Sequence, residues 1–247
     1  MAQRLDKLLS LSGERTRSQS NSLIKAGRVT VNGVKVRNPS EKVAENSIII
    51  LDGQLISTQA YQYAMMNKPS GVLTAAEDHH AETVMDLLPA AWKNRGIMPI
   101  GRLDKDTTGL LLFTNDGVLA HRLLDPKRGV WKRYIAVVTG LLDAEDERRF
   151  QQGIPLKDFC AQPAALRILK ADLDESVAEV CVHEGKFHQV KRMFAACGHE
   201  VTALHRASIG PIELSQELAA GQYRLLTIEE VQSLKNVVHL GAVENAE

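Results

Sequence analysis

The sequence predicts an α+β protein in two parts: a small N-terminal domain over residues 1–57 and a larger one over 61–235, with a C-terminal tail at 236–247. Three observations lead there. A polar stretch from Gln54 to Tyr61, without a strong period, separates a basic segment from the rest. In the larger part strand-like runs outnumber long helices and do not keep strict β-α-β order, which argues for a mainly antiparallel or mixed sheet. A chain of 247 residues, 44% hydrophobic and 24% charged, has the composition of an ordinary globular protein and the length to bury a real core.

The elements follow in chain order. Leu5, Leu8, Leu9 and Ser12 fall at helical spacing, and Gly13 is a stop. A second helix runs from Arg17 to Ala26 and closes on Gly27. Alternating residues from Arg28 to Val31 and from Val34 to Val36 flank Asn32-Gly33, a hairpin turn in which both central positions need positive φ. Ile48 to Leu51 is a strand ending at Asp52-Gly53. In the larger part Tyr63 to Met66 is a strand, Lys68-Pro69-Ser70-Gly71 a turn, and Thr83 to Leu88 a short helix ending at Pro89. Leu110 to Phe113 is a buried strand closed by Asn115-Asp116-Gly117, and Val118 to Leu124 a helix. Strands over Tyr134 to Val138 and Val177 to Val182 alternate with helices over Glu145 to Gln152 and Phe187 to Cys197. A last helix, Thr227 to Leu234, starts on a Thr cap with Glu230 three residues on, and the chain frays after Lys235.

Composition excludes several classes. No run approaches the roughly 20 apolar residues of a membrane span. MAQRLDKLLS is no secretory signal, so a cytoplasmic location is expected. Cys160, Cys181 and Cys197 form no C-x-x-C pair, which argues for three reduced thiols rather than a zinc ribbon or disulfides. His79 and His80 lie near acids, but no third metal ligand follows at convincing spacing, so no metal is expected. Trp92 and Trp131 are isolated, and 4% aromatic residues do not indicate a stacking platform for single strands.

The formal net charge of zero conceals an asymmetry. Residues 1–42 hold nine Lys and Arg against three acids, so this segment is +6 and the remainder −6. Such a basic end is an electrostatic footprint for a polyanion, or else a well-solvated surface. Arg4-Leu5-Asp6-Lys7-Leu8-Leu9, Arg17, Leu23 to Val29 and Val31-Asn32-Gly33 together resemble the small RNA-binding domain first known from ribosomal protein S-four. The resemblance covers residues 2–55 and implies that Arg4, Lys7, Arg15, Arg17, Lys25 and Arg28 contact RNA, mostly at phosphates. Thr16 stands where that domain often has serine, and Asn46-Ser47 where it usually has an acid.

The chemistry concentrates in Gly101-Arg102-Leu103-Asp104-Lys105-Asp106-Thr107-Thr108-Gly109, a charged loop that leads into the apolar strand. A carboxylate there can serve as nucleophile or base, or can cap the turn at Thr107. Spacing alone favours the capped turn and does not separate Asp104 from Asp106 or Asp116. GRLDKDTTGLLLFTNDG resembles the signature of RNA pseudouridine synthases, in the branch that modifies ribosomal RNA. Asn67 to Gly71, Lys132-Arg133-Tyr134, Glu184 to Phe194 and Leu204-His205-Arg206 to Gly210 resemble further motifs of that family, so the match spans 62–232. FHQVKRMFAA is most similar to the type that acts on one uridine of small-subunit (16S) ribosomal RNA. Large-subunit (23S) relatives usually carry asparagine and arginine at the positions of Phe187 and His188.

The resemblance implies a cofactor-free isomerisation of uridine, with no redox step, metal or ATP. It makes Asp104 the nucleophile, attacking the ribose anomeric carbon or a uracil ring carbon, with elimination to a glycal-like intermediate as an alternative. It makes Lys191 the basic partner of the aspartate and Tyr134 the residue that stacks on uracil and moves a proton. It also implies that Arg102 helps hold the RNA around an extruded nucleotide, where the residues alone equally allow an ion pair with Asp106. On a helical wheel Val190, Met193, Phe194 and Cys197 share one face, while His188, Lys191, Arg192 and Ala195 share the other. His188, Arg192, Arg206, Lys68 and Lys132 are expected on the RNA. The expected partner is ribosomal RNA, free or in a partly assembled small subunit, with the protein a monomer and no membrane involved. Three other readings remain open: a large-subunit (23S) ribosomal RNA pseudouridine synthase, a non-catalytic RNA-binding assembly factor, and a nucleosidase-like hydrolase that uses Asp104 and releases uracil.

Overall fold

The structure, a computed structural model, describes residues 2–11, 13–44, 47–56 and 61–240. Ser12, Asn46 and the centre of the expected linker lie outside the described residues, as do the last seven residues of the expected tail. The chain divides into two compact units, one of residues 1–62 with 88–98 and one of 63–87 with 99–247.

In the first unit the helices Leu5–Ser10 and Arg17–Lys25 cover a small sheet. Leu5, Leu8, Leu9 and Ile24 bury against Val29, Val36, Val43, Ile49 and Leu51. Thr16 caps the second helix. Its hydroxyl accepts from the Gln19 N–H at 3.2 Å, and the Gln19 side chain accepts from the Thr16 N–H at 2.8 Å. The strands Val29–Val31 and Val34–Val36 pair through the expected turn, with φ of 50° at Asn32 and 83° at Gly33. Ile49–Leu51 pairs with the other side of Val29–Val31. The unit also takes in the helix Ala90–Asn94, where Asn94 Nδ2 donates to the Gly13 carbonyl at 2.9 Å.

The second unit is built on one sheet. Its strands run across in the order Ala165–Lys170, Glu175–Val182, Lys132–Thr139, Val201–Ile209, Thr108–Thr114, Tyr63–Lys68 and Tyr223–Leu225. Val201–Ile209 and Thr108–Thr114 are parallel, and the other neighbours on this path are antiparallel, so the sheet is mixed as expected. Met65, Leu110 and Leu112 bury against Leu119 and Leu123 of the helix Gly117–Leu124 and against Leu234 of the helix Ile228–Val237. Val190, Met193 and Phe194 form the buried face of the helix Gln189–Ala196, and Phe194 meets Phe150 at 4.9 Å between ring centroids.

Three expectations are corrected. Thr83 to Leu88 is not helical. Thr83 bridges to Leu73 in parallel, and the Asp86 carboxylate accepts from the Thr83 N–H and hydroxyl, so this segment's polar groups are spent on a pleated contact and a turn. Pro89 instead precedes a helix, Ala90–Asn94. The helix expected from Phe187 begins only at Gln189, because His188 has left-handed backbone with φ 49°. The last helix continues past Lys235 to Val237, and Val238 is buried in the core rather than frayed.

Candidate active site

The 101–107 loop is held by the segment that precedes it in sequence. Lys68 is completely buried, and its ammonium donates to the carbonyls of Pro69, Lys105 and Thr107 at 2.9, 3.1 and 3.0 Å. Burial pushes its pKa down to about 8, against the pull of Asp106 and Asp104. The Gly71 N–H donates to the Lys105 carbonyl at 2.8 Å. The Thr74 hydroxyl donates to the Leu103 carbonyl at 2.8 Å and accepts from the Leu103 N–H at 3.2 Å. At the end of the loop Gly109 lies against the next strand, where a Cβ would sit 2.3 Å from the Arg206 carbonyl oxygen.

These ties fall on the backbone of the loop, which leaves the loop's side chains available. The Thr107 N–H donates to the Asp104 main-chain carbonyl at 3.1 Å, so the Asp104 carboxylate does not cap that turn. Asp104 lines an open cleft together with Arg102, Tyr134, Glu184, His188 and Lys191. His188 Nε2 lies 3.5 Å from one Asp104 oxygen and Lys191 Nζ 3.8 Å from the other. Lys191 is closer to Asp106, at 2.6 and 2.7 Å, and holds its carboxyl below the usual carboxylate range. Asp116 is occupied elsewhere. It caps the next helix through the Leu119 N–H at 3.1 Å and accepts from the Tyr63 hydroxyl at 2.8 Å.

Tyr134 is buried at the base of the cleft. It pairs in register with Arg206, whose Nη1 donates to the Tyr134 hydroxyl at 3.4 Å and whose Nε donates to the Leu110 carbonyl at 2.8 Å. Arg206 is therefore an interior residue and not the phosphate contact expected of it. Lys68 and Lys132 are corrected in the same way. Lys132 donates to the Val130 and His183 carbonyls, both at 3.2 Å, and burial together with the Arg206 charge lowers its pKa to about 8. Arg192 is paired with Asp158, whereas Arg102 is exposed and makes no ion pair among the described residues.

In the N-terminal unit Arg4 and Arg17 both pair with Asp6, a buried carboxylate whose pKa they hold near 2. Arg28 pairs with Asp52 and Arg15 with Glu14. Lys7 and Lys25 are exposed and without an ion pair among the described residues.

Sequence reasoning missed Thr74 and Glu184. A lone threonine beyond the turn carries no signal. Glu184, the one acid of the basic EGKFHQVKR run, could have been singled out. It is buried and accepts from the Gln162 N–H and from Gln189 Nε2, both at 2.9 Å.

Comparison with known proteins agrees with this geometry. The RNA pseudouridylate synthase family matches residues 62–196, and the S4 domain matches residues 3–49. An uncharacterized RNA pseudouridine synthase, YtzG, of Bacillus subtilis is 41% identical over 94% of this chain and 98% of its own. The ribosomal small subunit pseudouridine synthase A of Vibrio cholerae is 40% identical over 94% of this chain and 99% of its own. A crystal structure of a pseudouridylate synthase, 34% identical, superposes with a TM-score of 0.65 over 94% of this chain and 99% of that one. A cleft that gathers an aspartate, a tyrosine and a lysine from the segments carrying this family's motifs, on a chain matched nearly end to end, places the protein among the RNA pseudouridine synthases, isomerases that act on RNA.

Proposed function

We propose that this enzyme converts one uridine of small-subunit (16S) ribosomal RNA to pseudouridine, with Asp104 as nucleophile. The observation that carries the reading is the convergence of Asp104, Tyr134 and Lys191 on one cleft. The target follows from the relatives named as small-subunit enzymes. Conversion breaks the N1–C1′ bond and forms a C5–C1′ bond; N1 gains a proton and C5 loses one. Nothing is oxidised or added, so the residues of the cleft suffice for the proton traffic.

Asp104 needs to be ionised to attack. His188 Nε2 and Lys191 Nζ flank its two carboxylate oxygens at 3.5 and 3.8 Å. Tyr134 offers a ring to stack on the uracil and a hydroxyl that exchanges a proton with it. Arg102, exposed at the cleft and without an ion pair among the described residues, holds the RNA backbone where the nucleotide leaves the stack. Residues 1–57 dock the RNA chiefly through phosphates, and the protein acts as a cytoplasmic monomer.

The test compares wild type with Asp104→Asn on small-subunit ribosomal RNA, free and carrying early-binding proteins. Pseudouridine is mapped chemically and RNA binding is measured in parallel. The expected result is one modified uridine with wild type, none with the variant, and equal binding by both. Modification only of large-subunit RNA would reassign the target. Binding without modification of either RNA would favour an assembly factor, and release of free uracil a hydrolase.

A further inference from the structure

Phe187 is 70% exposed although it belongs to the segment that lines the cleft. Its ring lies flat on the His188 imidazole, with centroids 3.8 Å apart and 18° between the planes. His188 is the residue whose Nε2 lies 3.5 Å from Asp104. The stack is thus continuous with the site, and its outer face is turned away from His188 toward solvent.

The segment carrying this pair is clamped at both ends. Glu184 ties it to the Gln162 N–H and to Gln189 Nε2, and the Lys186 N–H donates to Gln189 Oε1 at 3.1 Å. Between the clamps His188 adopts the left-handed conformation, φ 49° and ψ 30°. Such backbone is costly for a residue with a side chain and persists only where its surroundings enforce it. Successive side chains diverge in helix and strand, whereas this turn lets two neighbouring rings lie face to face. The fold therefore presents an aromatic ring, stacked on His188, to water at the edge of a cleft whose rim also carries Arg102, Lys186 and Lys191.

A flat apolar face beside cations matches a nucleobase next to its phosphate. We propose that the Phe187–His188 stack is a nucleobase-stacking subsite, which receives an unpaired base adjacent to the uridine held at Asp104. The proposal rests on the cleft being the pseudouridylation site and deepens that reading.

The test uses the full chain with Phe187→Ala, Phe187→Leu and Phe187→Trp. Each is titrated with a single-stranded RNA oligonucleotide in which 2-aminopurine flanks a uridine on either side. Binding is followed in the Asp104→Asn background, so the fluorescence readout does not depend on turnover. With Phe187 present the 2-aminopurine should be quenched. Phe187→Ala and Phe187→Leu should abolish the quenching and weaken binding about tenfold to hundredfold, the range expected for one stacked base. Phe187→Trp should restore both, which separates an aromatic face from mere apolar area. In the active background the loss should appear in KM far more than in kcat. Equal quenching and affinity across the four proteins would overturn the proposal. A fall in kcat with quenching unchanged would also overturn it and leave Phe187 as a support for His188. If wild type modifies no uridine of small-subunit RNA, the target assignment fails, while the quenching still reports on the subsite.

Discussion

At the scale of single residues, the site turns on how Lys191 is shared between two carboxylates. Asp106 holds it at 2.6 Å, but its side chain is 70% exposed, and an ion pair in water contributes little. Asp104 is 26% exposed and lines the cleft, where a neighbouring cation acts through less water. On the proposed mechanism Asp106 orients the ammonium, and Asp104 is the group it serves. The expected outcome is that Asp106→Asn keeps the rate within about tenfold, whereas Asp104→Asn loses at least about a thousandfold, the scale of removing a nucleophile. Release of tritium from C5-labelled uridine in RNA measures both, because C5 must lose its hydrogen. Comparable losses in the two variants would contradict the division of roles. Residue spacing alone does not make this distinction; in the sequence only the family resemblance does. Asp104 and Asp106 lie in one charged loop and Asp116 just beyond the following strand; what separates them is exposure, 26% against 70% for the first two, and the Tyr63 hydroxyl that occupies the buried Asp116.

At the scale of elements, the Asn67 to Gly71 turn exists to hold the next motif in place. Its lysine was legible as a motif residue but not as a buried one, because a lysine beside Pro-Ser-Gly reads as a solvated turn. Three main-chain carbonyls, two of them from the 101–107 loop, reverse that reading. The same kind of long-range pairing explains why Thr83 to Leu88 failed as a helix: its partner, Leu73, lies in a different turn. The main strands and the capped helices were legible, since their periodicity and caps are local. Lys68→Met should leave the three carbonyls without their donor and lower unfolding stability by about 1–3 kcal/mol near neutral pH. It should also change the alkaline profile. The folded Lys68 loses its proton near pH 8 and the unfolded one near 10.5. The unfolded state therefore binds more protons between those values, and this residue's contribution to stability rises with pH across that window, by up to about 3 kcal/mol. Denaturant unfolding at intervals from pH 7.5 to 10 should show a shallower rise in the variant than in wild type. Identical slopes would mean that the Lys68 ammonium is not desolvated.

At the scale of the whole molecule, the proposed function assigns RNA docking to the basic end and chemistry to the large sheet. The +6 charge of residues 1–42 was legible, but its distribution was not. Arg4 and Arg17 close on a buried Asp6, and Arg15 and Arg28 on exposed acids, while Lys7 and Lys25 have no ion pair among the described residues. A paired arginine can still meet a phosphate, but it then exchanges one anion for another and adds less to affinity than a free cation. A chain lacking residues 1–57 should therefore bind RNA more weakly and with a shallower salt dependence, its log K against log [salt] slope reduced by about 2 to 4, one step per lost phosphate contact. The Lys7→Ala, Lys25→Ala double variant should account for about 2 of that reduction. The shortened chain should still melt cooperatively, because the sheet and its core of Met65, Leu110, Leu112 and Leu234 lie wholly in the second unit. The cost falls on residues 88–98, which pack in the first unit and lose the Gly13 carbonyl that Asn94 binds. Protease cleavage confined to that segment is the expected signature. Loss of the cooperative melt would show instead that the second unit depends on the first for its fold, and an unchanged salt slope would show that RNA docks elsewhere.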